Sequence, residues 1–166
     1  MSAKAKISSR IICNASPLIF LSKINRINLL NDLFDEVLIP MAAWNEAVRK
    51  LDYATEELLK LKSNGNFTVF AVKNTLAVSA MIGRLHKGEA EVIVGAAELG
   101  VTNAILDDGY ARNKAKQMGL IVTGTLGVLI AGHKRGLVTD LNSEVEKLRA
   151  IGFRISDSIM EQILKS

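Results

Sequence analysis

Cysteine is all but missing from this sequence: Cys13 stands alone, so neither an intrachain disulfide nor a cysteine-built zinc site can form. Histidine is scarce too. His86 and His133 lie far apart and have no partner at the i, i+4 spacing used by helical metal sites, which argues against a zinc hydrolase. Long apolar runs are also absent; none approaches the roughly 18–20 residues a membrane span needs, and MSAKAKISSR has no apolar stretch of secretory type. The expectation is a soluble, cytoplasmic protein with no membrane partner. No repeat, low-complexity tract or linker interrupts the chain, so residues 1–9 read as a loose tail and 10–166 as a single domain.

The 166 residues are 49% hydrophobic and 23% charged, a globular composition long enough to bury one sizeable core. A formal net charge of +4 leans mildly toward a polyanionic partner such as nucleic acid. Cys13, inside an apolar run, reads as a small core residue.

Arg10–Asn14, RIICN, is a β-branched run stopped by Ala-Ser-Pro and reads as a buried first strand. Ser16 suits a helix cap and Pro17 the first helical position, where its missing N–H would be unpaired anyway. Leu18–Phe34 has apolar residues at helical spacing, with a break at Asn25–Asn28. Glu36–Ile39 is a second strand ended by Pro40, and Met41–Lys50 a helix bearing Trp44 and Glu46. Tyr53–Ser63 is an amphipathic helix closed by Asn64-Gly65-Asn66. Phe67–Val72 is a third strand, Thr75–Leu85 and Gly88–Leu99 are helical, Asn103–Leu106 is a fourth strand and Tyr110–Met118 a basic helix. Leu120–Val122 is a fifth strand; Thr123–Gly127 turns it into an apolar helix ending at Lys134, and Leu141–Ala150 and Ser156–Leu164 close the chain. Strands separated by helices, with no hairpin turn among them, predict an α/β fold with a mostly parallel sheet covered on both faces.

Carboxyl ends of parallel strands open on one edge, where such sheets usually place their chemistry. Asn14, Asp107 and Asp108 all follow strands, and they converge if the first and fourth strands are neighbours. Glu46, six residues beyond Pro40, and Glu89, in the first turn of its helix, are within reach of the same edge. Gathered oxygen ligands would bind Mg²⁺ or Mn²⁺, ions that activate water and neutralise charge on a phosphate. Glu89 and Glu91 lie about 200° apart round a helix and cannot both face such a site. Glu89 shares a stripe with Val92, Ile93 and Ala96 and is expected to be buried, whereas Glu91 runs with Gly95 and Glu98 and is expected to be solvated. Bland explanations stand beside these: acids favour helix starts, and aspartates after strands make ordinary turns and caps. Thr123, Thr125 and their glycines could bind phosphate at a helix start or simply cap it. Arg112, Lys114, Lys116, Lys134 and Arg135 could hold a nucleic-acid backbone or form a solvated face.

NASPLIFLSKI, WNEAV, GEAEVIVGAAELG and AILDDGYAR, in this order and spacing, resemble the four acidic blocks of the PIN-domain family. GLIVTGTLGVLIAGHKRGLV and LRAIGFRIS look like a VapC-related branch often encoded beside small antitoxin-like proteins. The resemblance implies a three-layer α/β/α sandwich, a Mg²⁺ or Mn²⁺ site, single-stranded RNA as substrate, and a homodimer or antitoxin-like partner. It points to Asn14, Glu46, Glu89 and Asp107 or Asp108, with Ser16 as a supporting hydroxyl. In one respect the chain departs from the family: the first acidic ligand is Asn14 rather than Asp, which removes one negative charge from the ion's shell. The same amide disfavours phosphatases and response-regulator-like phosphoacceptors, which need a carboxylate after the first strand. Two readings therefore stand, a toxin-type ribonuclease and a weak or inactive binding module. The apolar helices Leu18–Phe34 and Leu126–Ala131 are the expected docking surface for a partner.

Overall fold

A computed structural model describes residues 8–50 and 55–165. The chain runs β1 (Ser8–Cys13), α1 (Ala15–Lys23), α2 (Asn28–Leu33), β2 (Phe34–Pro40), α3 (Met41–Lys50), α4 (Thr55–Ser63), β3 (Phe67–Phe70) and α5 (Thr75–Met81). It continues through α6 (Lys87–Leu99), β4 (Asn103–Ile105), α7 (Gly109–Gln117), β5 (Ile121–Thr123), α8 (Thr125–Lys134), α9 (Leu141–Ala150) and α10 (Asp157–Leu164). The strands form one sheet in the order β3-β2-β1-β4-β5, every pair parallel.

The period-2 alternation of a strand separates the two faces. Ile11, Cys13, Val37, Ile39 and Ile105 point into a core shared with α1, α2, α8 and α9, while Ile12, Leu38, Ala104 and Leu106 point the other way, onto α6 and α7. That is a three-layer α/β/α sandwich. β1 sits at its centre and pairs Cys13 with Ile105 of β4, so the expected neighbourhood of the first and fourth strands is met. The connection leaves β1 toward β2 on one side and β4 returns on the other, which makes the carboxyl ends of β1 and β4 the crevice of the sheet.

Several boundaries differ from the sequence expectation, each for a local reason. The strand expected from Arg10 begins at Ser8, paired with Phe34, while residues 1–7 lie outside the described residues. Phe34 opens β2 rather than ending a helix, and Asn25 takes a left-handed φ of 58° at the break between α1 and α2. The helix expected to reach Leu85 stops at Met81, because Gly83 takes a φ of 154° and Ile82 bridges to Leu85. β3 ends at Phe70, two residues early. Tyr53, the expected start of the fourth helix, also lies outside the described residues.

The helices expected to offer a docking surface spend their apolar side chains inward: Leu18, Leu21, Leu30 and Leu129 are fully buried. Exposed apolar side chains lie elsewhere, most of all Leu76 of α5 at 81% and Ile121 of β5 at 67%. No helix among the described residues is long and apolar enough to cross a membrane. Cys13 is fully buried, and burial followed by the charge of Asp107 pushes its thiol well above the ordinary range, which makes it inert.

Candidate active site

At the carboxyl ends of β1 and β4, Asn14, Ser16, Glu89, Asp107 and Asp108 line one depression of about 330 Å³, together with Phe20 and the segment Gly152–Arg154. Each reaches it by a different element. Asn14 ends β1 and precedes α1; its amide N–H donates to Ile105 O at 3.1 Å, which fixes it against β4. Its side chain is 93% buried by the 7% exposure that remains, yet Oδ1 has no hydrogen-bond partner. A buried carbonyl oxygen left so costs about 1–3 kcal/mol. Gly88 leaves room beside it, since a Cβ there would stand in tight contact at 3.0 Å from that oxygen.

Glu89 lies in the first turn of α6 and is 6% exposed, as its apolar stripe predicted. Its Oε2 accepts the His86 N–H at 2.9 Å. Burial pushes its carboxyl above the ordinary range; the His86 amide pulls it back, and the charges of Asp108 and Glu46 push it further up. Glu91 corrects the expectation of a solvated stripe. It is 7% exposed, and Oε1 accepts the Ala42 N–H at 3.1 Å, closing the start of α3. Its neighbour Gly95 is buried too, and only Glu98 of that stripe is exposed.

Asp107 is held on every side. Oδ2 accepts the hydroxyls of Ser16 at 3.0 Å and Thr125 at 2.6 Å, and Oδ1 accepts the Thr125 N–H at 2.7 Å. The carboxylate thus ties α1, β4 and α8 together. Gly124 permits this approach, since a Cβ would come within 2.9 Å of Oδ1 and 2.7 Å of the Arg112 guanidinium. Asp108 is exposed and caps α7, accepting the Ala111 N–H at 2.9 Å.

The other expected residues divide. Glu46 does not line the depression: it pairs with Lys50 at 2.9 Å, although its charge is felt by Glu89. Thr125 is fully buried and serves Asp107. Arg112 donates to Leu106 O at 3.1 Å. Thr123 and Arg112 line a second depression of about 440 Å³ that also includes Asp107 and Arg154. Arg154 was not anticipated, nor was the stack of Arg84 over Tyr110 at 4.2 Å, which joins the approach to α6 with the start of α7. Neither has a local signal, since each depends on segments far apart in the chain.

Among the described residues no three Asp, Glu, His or Cys side chains gather closely enough to hold an ion by themselves. The donors present are hard oxygens, and Asn14 Oδ1 is an orphaned one among them. That combination fits a Mg²⁺-type ion that keeps several waters.

Comparisons place this geometry. A search of curated proteins gives no significant match. Eight solved chains match significantly, among them a PilT N-terminus domain protein from the hyperthermophilic archaeon Sulfolobus solfataricus. That structure is similar at a TM-score of 0.56 and 20% identity, over 74% of this chain and 92% of that one, which is a likeness of fold. A family model described as a PIN domain matches residues 10–166. PIN domains are generally nucleases and typically use divalent metals. With its parallel sheet, its crevice of acidic side chains and this match over nearly the whole length, the chain belongs to the PIN-domain family.

Proposed function

We propose that this chain is a metal-dependent ribonuclease of the VapC toxin type that cleaves phosphodiester bonds of single-stranded RNA in the cytoplasm. The observation that carries this reading is the meeting of Glu89, Asp107, Asp108 and the unpartnered Asn14 Oδ1 in one depression. Glu89, Asp108 and Asn14 would hold Mg²⁺ or Mn²⁺, with water completing the shell. Such an ion supplies neutralisation of phosphate charge and an acidified water. Asp107, bonded to Ser16 and Thr125, keeps the floor of the site from moving. Glu89, buried in the depression beside Asn14, would be the ion's main carboxylate ligand. The reading includes a second copy of the chain and a small antitoxin-like protein as partners.

Incubation of varied single-stranded RNAs with Mg²⁺ or Mn²⁺ tests it. Cleavage is expected, falling on the order of 100-fold in Glu89→Gln. No cleavage of any RNA at high Mn²⁺, or undiminished cleavage by the variant, overturns the assignment. A second reading, a weak or inactive nucleic-acid-binding module, is favoured by the amide at Asn14 and by the lack of a three-acid cluster among the described residues. It predicts RNA binding with cleavage gained only in Asn14→Asp.

A further inference from the structure

The geometry points to Arg154 as the residue that grips a backbone phosphate of the single-stranded substrate beside the acidic depression, an inference that rests on the nuclease reading above. Arg154 lies in the connection between α9 and α10, and it lines three adjoining depressions: the one with Glu89, the one with Arg112 and Thr123, and a third of about 590 Å³ with Arg149. It is the one side chain common to all three apart from Phe153.

Its backbone is fixed from both sides. Gly152, with a φ of 96°, turns the chain out of α9, and the Phe153 N–H donates to Leu148 O at 3.0 Å. The Phe153 ring then packs edge-on against Phe20 of α1 at 4.9 Å, close behind Asn14 in the chain. After Arg154, Ser156 caps α10 through the Ile159 N–H at 3.3 Å. α9 itself is anchored, because the buried Glu144 meets Arg26 at 2.8 Å. The guanidinium is therefore carried by a held segment rather than a loose one.

The decisive contrast is with Arg112. That residue is committed to Leu106 O, whereas Arg154 is exposed and forms no ion pair or hydrogen bond among the described residues, although it lines a depression with three carboxylates. A cation so placed, and not paired with those acids, is available to an anion that bridges from the acidic site outward. A phosphodiester is that anion, and a planar guanidinium holds two of its oxygens at once. Arg154 then balances the phosphate's charge while the acids work at the neighbouring bond, and it sets which phosphate lies over Glu89.

Binding of a fluorescent single-stranded RNA by the full chain, in chelator and across a salt series, tests this. Arg154→Ala is expected to weaken binding about tenfold and to lower the slope of log K against log salt by roughly 0.7, one phosphate contact on a single strand. Arg154→Lys is expected to keep the slope and recover part of the affinity. Lys60→Ala, the same charge change on α4 outside these depressions, is expected to leave both unchanged. Wild-type affinity and slope in Arg154→Ala, or an equal loss in Lys60→Ala, overturns the contact; cleavage by the wild type in that case leaves the nuclease reading standing. A wild-type chain that binds no single-stranded RNA in chelator overturns the contact, and one that also cleaves none in Mn²⁺ overturns both.

Discussion

Asp107 and Glu89 line the same depression under opposite conditions. Asp107 accepts two hydroxyls and an amide, so both of its oxygens have partners before anything binds. Glu89 accepts one amide, is desolvated, and faces the charges of Asp108 and Glu46, while Asn14 Oδ1 lies buried and unpartnered in the same depression. One half of the site is scaffold, made rigid at the chain's own expense. The other half is desolvated and carries an unpartnered oxygen, so burial favours the neutral form of Glu89 there.

Removing the scaffold should have the largest effect. Asp107→Ala leaves the buried Thr125 amide and hydroxyl without their acceptor and is expected to destabilise the fold by about 3 kcal/mol, read by urea unfolding. A wild-type unfolding midpoint would break the contrast at its root. Asn14→Asp adds a like charge to the desolvated half; it is expected to cost about 2 kcal/mol at pH 7 without divalent ions and to recover in Mn²⁺. No recovery would mean that the orphaned oxygen does not face an ion.

Glu89→Gln should act in the opposite direction. A carboxyl raised above its unfolded value contributes stability below the unfolded value and loses it as pH rises through the folded one, so at pH 7 the charged Glu89 is a burden. Gln keeps an acceptor for His86 and is expected to raise stability at pH 7 by less than about 1 kcal/mol, roughly 2–4 °C in Tm, with no gain at pH 3. Saturating Mn²⁺ should stabilise the wild type and not the variant. The smallest change is expected of Glu46→Gln, which breaks an i, i+4 pair with Lys50 worth about 0.3–0.5 kcal/mol, measurable in thermal unfolding.

Much of the fold could be read along the chain because it is written in local terms. The run Asn103–Leu106 is followed by two aspartates, and the strand, the turn and the cap of α7 all follow from those few residues. The burial of Glu89 was legible for the same reason, since Val92, Ile93 and Ala96 share its stripe. Glu91 was misread because its depth is set by α3 lying across α6, and the Ala42 amide that it caps is 49 residues away. Arg154 was invisible because nothing in its own segment shows that Phe153 will meet Phe20. Thr125 was legible as a residue of interest and not as a clamp, since its partner comes from the end of another strand.

The central position of β1 has a further consequence for how the protein is made. Ser16 and Asp107 are 91 residues apart, and β1 stays without its β4 neighbour until that length has left the ribosome. At about 5–20 residues per second, the nascent chain spends on the order of ten seconds with the middle strand of its sheet open along one edge. During translation the chain therefore has an unpaired strand edge that invites wrong partners, and it has neither Asp107 nor Arg154 in place. Whatever chemistry the crevice performs is withheld from the synthesis of the chain itself until β4 has paired with the first strand.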